Sequence, residues 1–153
     1  MPAPLSSSPR LDRRVHLLLL DDQDRLMLCR ACCSGWTVPQ VLLDSGADFR
    51  ESATRFLAER FQIREPRYGS LYGIHTTRAG DCWQHDQPTI SHVFLVRISA
   101  EESDAIQQLS AAHARWGVEE LKSRHRDISP EGVVLMTAGY VEGWLPDGPI
   151  SLS

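Results

Sequence analysis

Residues 36–63, WTVPQVLLDSGADFRESATRFLAERFQI, decide how the rest of the chain is read. The stretch opens as a loop, turns at Gly46, and then carries apolar residues at helical spacing. Asp48 is placed to cap that helix, because Asp48-x-x-Glu51 has the form of a capping box: the Asp48 carboxylate accepts an early backbone N–H while Glu51 reaches back to Asp48. Ala53, Phe56, Leu57 and Phe61 then form a buried stripe, and Pro66 marks the stop.

Working outward, Val15–Leu20 and Arg25–Cys29 are short apolar runs separated by Asp21-Asp22-Gln23-Asp24, a turn-forming cluster. They predict a β-hairpin that feeds the loop Ala31–Gln40, where Gly35 and Pro39 prevent a long helix or strand. Downstream, Tyr68–Thr76 and His92–Ser99 read as strands. The second is central, with Val93, Leu95 and Arg97 on one face and His92, Phe94, Val96 and Ile98 on the other. Ala100–Leu109 is polar enough to read as a loop or one helical turn. A short strand around Ala114–Val118 leads to a helical turn at Glu119–Leu121. Ser129-Pro130-Glu131 starts a helix, with Pro at its first position, whose stripe runs from Val133 to Trp144 and stops at Pro146. Residues 1–12 and 147–153 read as tails around a domain at 13–146. The fold class is α+β, one domain with a mixed sheet between helices.

Composition narrows the function classes. The 153 residues, 42% of them apolar, suffice for one core, and a net charge of −4 argues against a nucleic-acid polymer as partner, since that needs clustered Lys and Arg. The longest aliphatic run, Leu17–Leu20, is far short of the ~20 residues of a membrane helix. Three of the four cysteines fall within Cys29–Cys33, unlike an evenly spaced disulfide framework, so reduced thiols and a cytoplasmic location are expected. Cys29, Cys32, Cys82 and His85 also supply the ligand types of a zinc site, against which free, partly buried thiols are the simpler reading.

This order of elements resembles the Nudix hydrolase superfamily from Arg13 to Trp144, and implies its α/β/α sandwich. The family signature is G-x5-E-x7-R-E-U-x-E-E-x-G-U, with U a bulky apolar residue. Arg55, Leu57, Glu59 and Ile63 match it, and Gly46 stands where the family has a glycine just before the first motif Glu. Val41, Ala47, Phe56, Arg60 and Gln62 depart from it, replacing two glycines and three glutamates.

The resemblance implies a nucleotide or diphosphate ligand and Mg²⁺ or Mn²⁺ as cofactor. Mg²⁺ asks for clustered carboxylate oxygens, and the helix face that carries them in the family presents Phe56, Glu59 and Arg60 here. Weak metal binding and weak or absent hydrolysis are expected. The candidate residues are Glu59 and His113 as catalytic groups, Glu59 as a metal ligand, and Arg55, Phe56, Arg60 and Trp83 as ligand contacts. His75, His85 and His92 join His113 as histidines near the cleft. Two other readings stay open: an enzyme with relocated catalytic groups, and a non-catalytic scaffold. The oligomeric state is open as well, a homodimer included.

Overall fold

The aliphatic run near the start of the chain becomes the middle of the sheet. A computed structural model of the protein describes residues 12–31, 35–44, 46–77, 89–130, 132–145 and 148–151. Strand β1 spans Asp12–Leu20 and β2 spans Leu26–Arg30, paired antiparallel at Leu20 and Leu26 as the sequence predicts. Asp21 organises the turn. Its buried carboxylate accepts from the backbone N–H groups of Gln23 and Arg25, from Arg25 Nε at 3.0 Å, and from Ser103 Oγ at 2.9 Å. Burying this charge is tolerable because its oxygens are so fully hydrogen-bonded.

Past the turn the hairpin parts. β1 pairs in parallel with β6 (Thr89–Arg97) along its whole length, and near its start pairs antiparallel with β4 (Gln40–Leu42). β2 pairs instead with β3 (Trp36–Thr37) and β7 (His113–Trp116). The short link between β3 and β4 crosses from one parted strand to the other, and the Leu17 N–H donates to the Pro39 carbonyl at 2.8 Å. β5 (Arg67–Thr77) lies antiparallel beside β6, and β8 (Gly148–Ser151) lies parallel beside β5. Among the described residues this is one mixed sheet in the order β3-β2-β1-β6-β5-β8, with β4 on β1 and β7 on β2.

Alternation along β1 and β6 builds a core on each face. Val15, Leu17, Leu19, Phe94, Val96 and Ile98 pack with helices α1 (Phe49–Phe61) and α2 (Ala100–Leu109) through Ala53, Leu57, Phe61 and Ile106. Leu18, Leu20, Val93 and Leu95 pack on the other side with α3 (Val118–Ser123) and α4 (Gly132–Glu142) through Leu121, Val133, Val134 and Met136. The protein is therefore a single α+β domain with helices on both faces of a mixed sheet.

Helix α1 begins as expected. Asp48 has extended backbone angles and its carboxylate accepts from the Glu51 N–H at 2.9 Å, which is the first half of the predicted capping box. The helix ends at Gln62 in the left-handed region, φ 62°.

Four sequence expectations change. Ala100–Leu109 is a full helix, not a loop or single turn, held at its start by a complete capping box in which Ser99 and Glu102 cap each other. Only Ser103 and Ile106 of it are buried, so its apolar stripe is too thin to read. Gly148–Ser151, expected within a tail, is an edge strand whose partner β5 lies some 75 residues earlier in the chain. The loop Ala31–Gln40 contains β3 and leads into β4. Finally, α4 starts at Gly132 and ends at Glu142, because Gly143 takes φ 80° and its N–H bonds back to the Gly139 carbonyl; Trp144 lies past that stop and is 54% exposed. Pro146 lies outside the described residues.

Candidate functional site: a basic hollow where the hairpin parts

The parting of β1 and β2 leaves a hollow of about 430 Å³. Arg14 reaches it from β1, Cys29 and Arg30 from β2, Thr37–Gln40 from the link, Phe56, Arg60 and Phe61 from α1, and His113 from β7. Among the described residues three arginines line it and no carboxylate does.

Each charged side chain owes its place to local chemistry. Phe56 and Arg60 are four residues apart on α1 and so share a face, while Leu57 and Phe61, buried against the sheet, fix the helix rotation. Arg60 is exposed, its guanidinium 5.8 Å from the Phe56 ring centre. Arg14 donates from Nη1 to Gln40 Oε1 at 3.1 Å, and Gln40 Nε2 donates to Thr37 Oγ1 at 3.4 Å. That leaves Arg14 Nε buried with no acceptor. Arg30 lies 4.6 Å over Trp36, which itself meets Trp116 edge to face at 5.6 Å. Trp36 is thus a structural residue that seats a charged one.

His113 pairs with Cys29 across β2 and β7, and its carbonyl accepts from Gln107 Nε2 at 2.7 Å. Its ring meets Phe61 at 6.3 Å, and its Nδ1 is buried without a partner. Burial, and then the charge of Arg60, hold the imidazole below its ordinary pKa, so it is neutral at pH 7. Burial pushes the Cys29 thiol up to about 11. It stays a thiol at neutral pH and is a poor nucleophile and metal ligand.

A second hollow of about 150 Å³ adjoins the first. Val41–Asp44, Ala47, Ser52, Arg55 and Glu59 line it, and Phe56 faces both. The structure therefore brings Arg60, Phe56 and His113 to one hollow, and Arg55, Phe56 and Glu59 to the other. It does not bring Glu59 and His113 to a common hollow. His92 belongs to neither, stacking on Phe49 with ring centres 3.6 Å apart. Trp83 and His85, and the side chain of His75, lie outside the described residues.

Arg14 and Arg30 are the residues that sequence reasoning missed. Neither sits in the signature; Arg14 enters the hollow through the pairing of β1 with β4, and Arg30 lies beside Cys29, which pairs with the distant His113.

The described residues do not offer Mg²⁺ a fitting set of ligands. Among the described residues no group of three or more His, Cys, Asp or Glu side chains is placed to hold a metal ion, and Glu59 is exposed with Arg60 as its neighbour. For zinc, Cys29 is free, while Cys32, Cys82 and His85 lie outside the described residues. Among the described residues no helix is long and apolar enough to cross a membrane.

Solved structures share this architecture. An Ap4A hydrolase from C. elegans superposes with a TM-score of 0.65 at 18% identity, over 87% of this chain and 99% of that one. A mutT/nudix family protein from Listeria innocua gives 0.60 at 13% identity, over 89% and 94%. A MutT protein from Methanosarcina mazei Go1 gives 0.60 at 12%, over 89% and 96%. No family model matches the sequence, and no curated protein matches it significantly. At these identities the shared property is the Nudix fold.

Proposed function

We propose that this Nudix-fold chain binds a nucleotide or another organic diphosphate in the basic hollow, with weak or no Mg²⁺-dependent hydrolysis. The observation that carries this reading is three guanidinium groups, and among the described residues no carboxylate, around one hollow of about 430 Å³. Arginine matches phosphate oxygens in planar, bidentate geometry, and here its charge takes the neutralising role that a metal ion would otherwise have. Phe56, Phe61, Val38 and Pro39 supply apolar wall for the rest of an organic ligand.

Hydrolysis is weak on this reading because the chemistry of the motif helix has changed. A hard cation needs several oxygen ligands. The face at positions 56, 59 and 60 offers a phenyl ring, one exposed carboxylate and a guanidinium. The two groups that a relocated active site would use, Glu59 and His113, line different hollows. The likeness in fold to a protein named for hydrolysing Ap4A supports a nucleotide as ligand class and leaves its identity to experiment.

A thermal-shift screen of nucleotides, dinucleotides, sugar nucleotides and prenyl diphosphates, with and without Mg²⁺, tests the reading. A ligand at a hundred times its Kd adds about 2.7 kcal/mol to stability, an easily read shift. Stabilisation that does not depend on Mg²⁺ is expected. Rapid release of mononucleotide from diphosphate substrates in Mg²⁺ or Mn²⁺ would refute the loss of hydrolysis, and a flat screen would refute the ligand class.

A further inference from the structure

We propose that His113 is a proton-coupled contact in the basic hollow: its ring takes up a proton from solvent as a phosphate group enters, so that affinity for the anion rises as pH falls. The proposal rests on the reading that the hollow holds an anionic ligand.

Hydrogen-bond chemistry supplies the first argument. A neutral imidazole has one donor nitrogen and one acceptor, and becomes a donor at both only when protonated. A phosphate group fully stripped of its protons offers lone pairs alone, so it pairs with N–H groups and repels a bare ring nitrogen. Nδ1 of His113 and Nε of Arg14 are buried with no partner among the described residues, and both residues line the hollow.

Charge supplies the second. The titratable and charged groups lining the hollow with His113 are Arg14 from β1, Cys29 and Arg30 from β2, and Arg60 from α1. The link between β3 and β4 contributes the uncharged Thr37 and Gln40, and α2 contributes Gln107, whose amide holds the His113 carbonyl. Three fixed positive charges, with no carboxylate among the described lining residues, disfavour a fourth positive charge in the free protein. A bound dianion reverses the sign of that field. The proton and the anion then favour each other's binding to the same extent, as linkage requires.

The sign can be followed through the pH range. The free imidazole is held below its ordinary value, and an anion raises it. Above the pKa of the liganded form the ring is neutral in both states and affinity is flat. Affinity climbs as pH falls between the liganded and free values, and levels off below the free value.

Sulfate is a suitable probe, because it mimics a phosphate dianion and does not titrate near neutral pH. The His113 ring signal of the full chain is followed by NMR through pH 5–8.5, in sulfate and in chloride at equal ionic strength. Sulfate should raise the His113 pKa by about one unit, equivalent to about tenfold tighter binding to the protonated form. His113→Gln should remove the pH dependence of sulfate affinity. Sulfate that moves the Arg14 or Arg60 side-chain signals but leaves the His113 titration unchanged would overturn the proposal while the ligand reading stands. If neither the arginine nor the histidine signals respond to sulfate, the proposal and the ligand reading both fail.

Discussion

Replacing Arg60 with Gln removes one of three positive charges from the hollow and little else. Arg60 is exposed, and its described interactions are with the Phe56 ring at 5.8 Å and with the imidazole of His113 through its charge. A guanidinium about 4.5 Å from a phosphate charge, at an effective dielectric of about 20, gains roughly 3–4 kcal/mol. Exposure and salt reduce that, and the glutamine amide keeps one neutral hydrogen bond, so a net loss of about 1–2 kcal/mol is expected. That is about a 5–30-fold rise in Kd. Calorimetric titration with a nucleoside diphosphate at about 0.1 M salt measures it, with Arg55→Gln as the control. Arg55 is equally exposed and on the same helix, but lines the smaller hollow. Its loss should change Kd by less than about twofold, with little change of Tm in either variant. Equal losses from Arg55→Gln and Arg60→Gln, or no loss from Arg60→Gln, would refute the placement of the ligand in the larger hollow.

Stability should fall in acid through Asp21. Burial alone would raise its pKa, but the hydrogen bonds from Arg25, Ser103 and Gln23 and the charge of Arg25 outweigh it and hold the carboxyl below its ordinary value. A depressed folded pKa gives stability that is present above the unfolded value of about 3.9 and is lost as pH falls through the folded one. Urea unfolding from pH 6 to pH 2 should show this loss, and Asp21→Asn should be less stable at pH 6 with a shallower acid limb; an unchanged limb would sink the assignment. Gly35→Ala should cost about 1–3 kcal/mol, because φ is 80° there and a Cβ would collide with the Asp127 carbonyl oxygen. At about 2–4 °C per kcal/mol the drop in Tm is readily measured, and an unchanged Tm would contradict the close approach. Introducing Ala47→Glu and Phe56→Glu together adds two carboxylates to the hollow that already holds Glu59. Calorimetry should then detect tighter Mg²⁺ binding than in the parent, and no gain would show that the three positions do not converge.

Much of this protein was legible before folding was considered. The apolar run Val15–Leu20 marked a hairpin strand, and alternation in His92–Ile98 marked a central strand and both of its faces. The Asp48 cap and the Ala53, Leu57, Phe61 spacing fixed α1. These signals are local: each depends on side chains within a few residues agreeing with one backbone period. Helix α2 had an equally local signal in Ser99 and Glu102, but two buried residues in ten gave it no readable stripe.

What the sequence alone determined, then, was the order of the main elements and the resemblance to a Nudix framework. The tertiary structure alone decided which charges meet. Arg14 and Arg30 join Arg60 and His113 because β1 and β2 part after a single shared pair and take partners from distant segments. Phe56, read from the sequence as part of the buried stripe and as a ligand contact, stands between an arginine-lined hollow and the one that holds Glu59. Strand exchange of that kind is driven by burial of whole sheet faces, a sum over many distant contacts, and leaves no mark on the spacing of the residues it brings together.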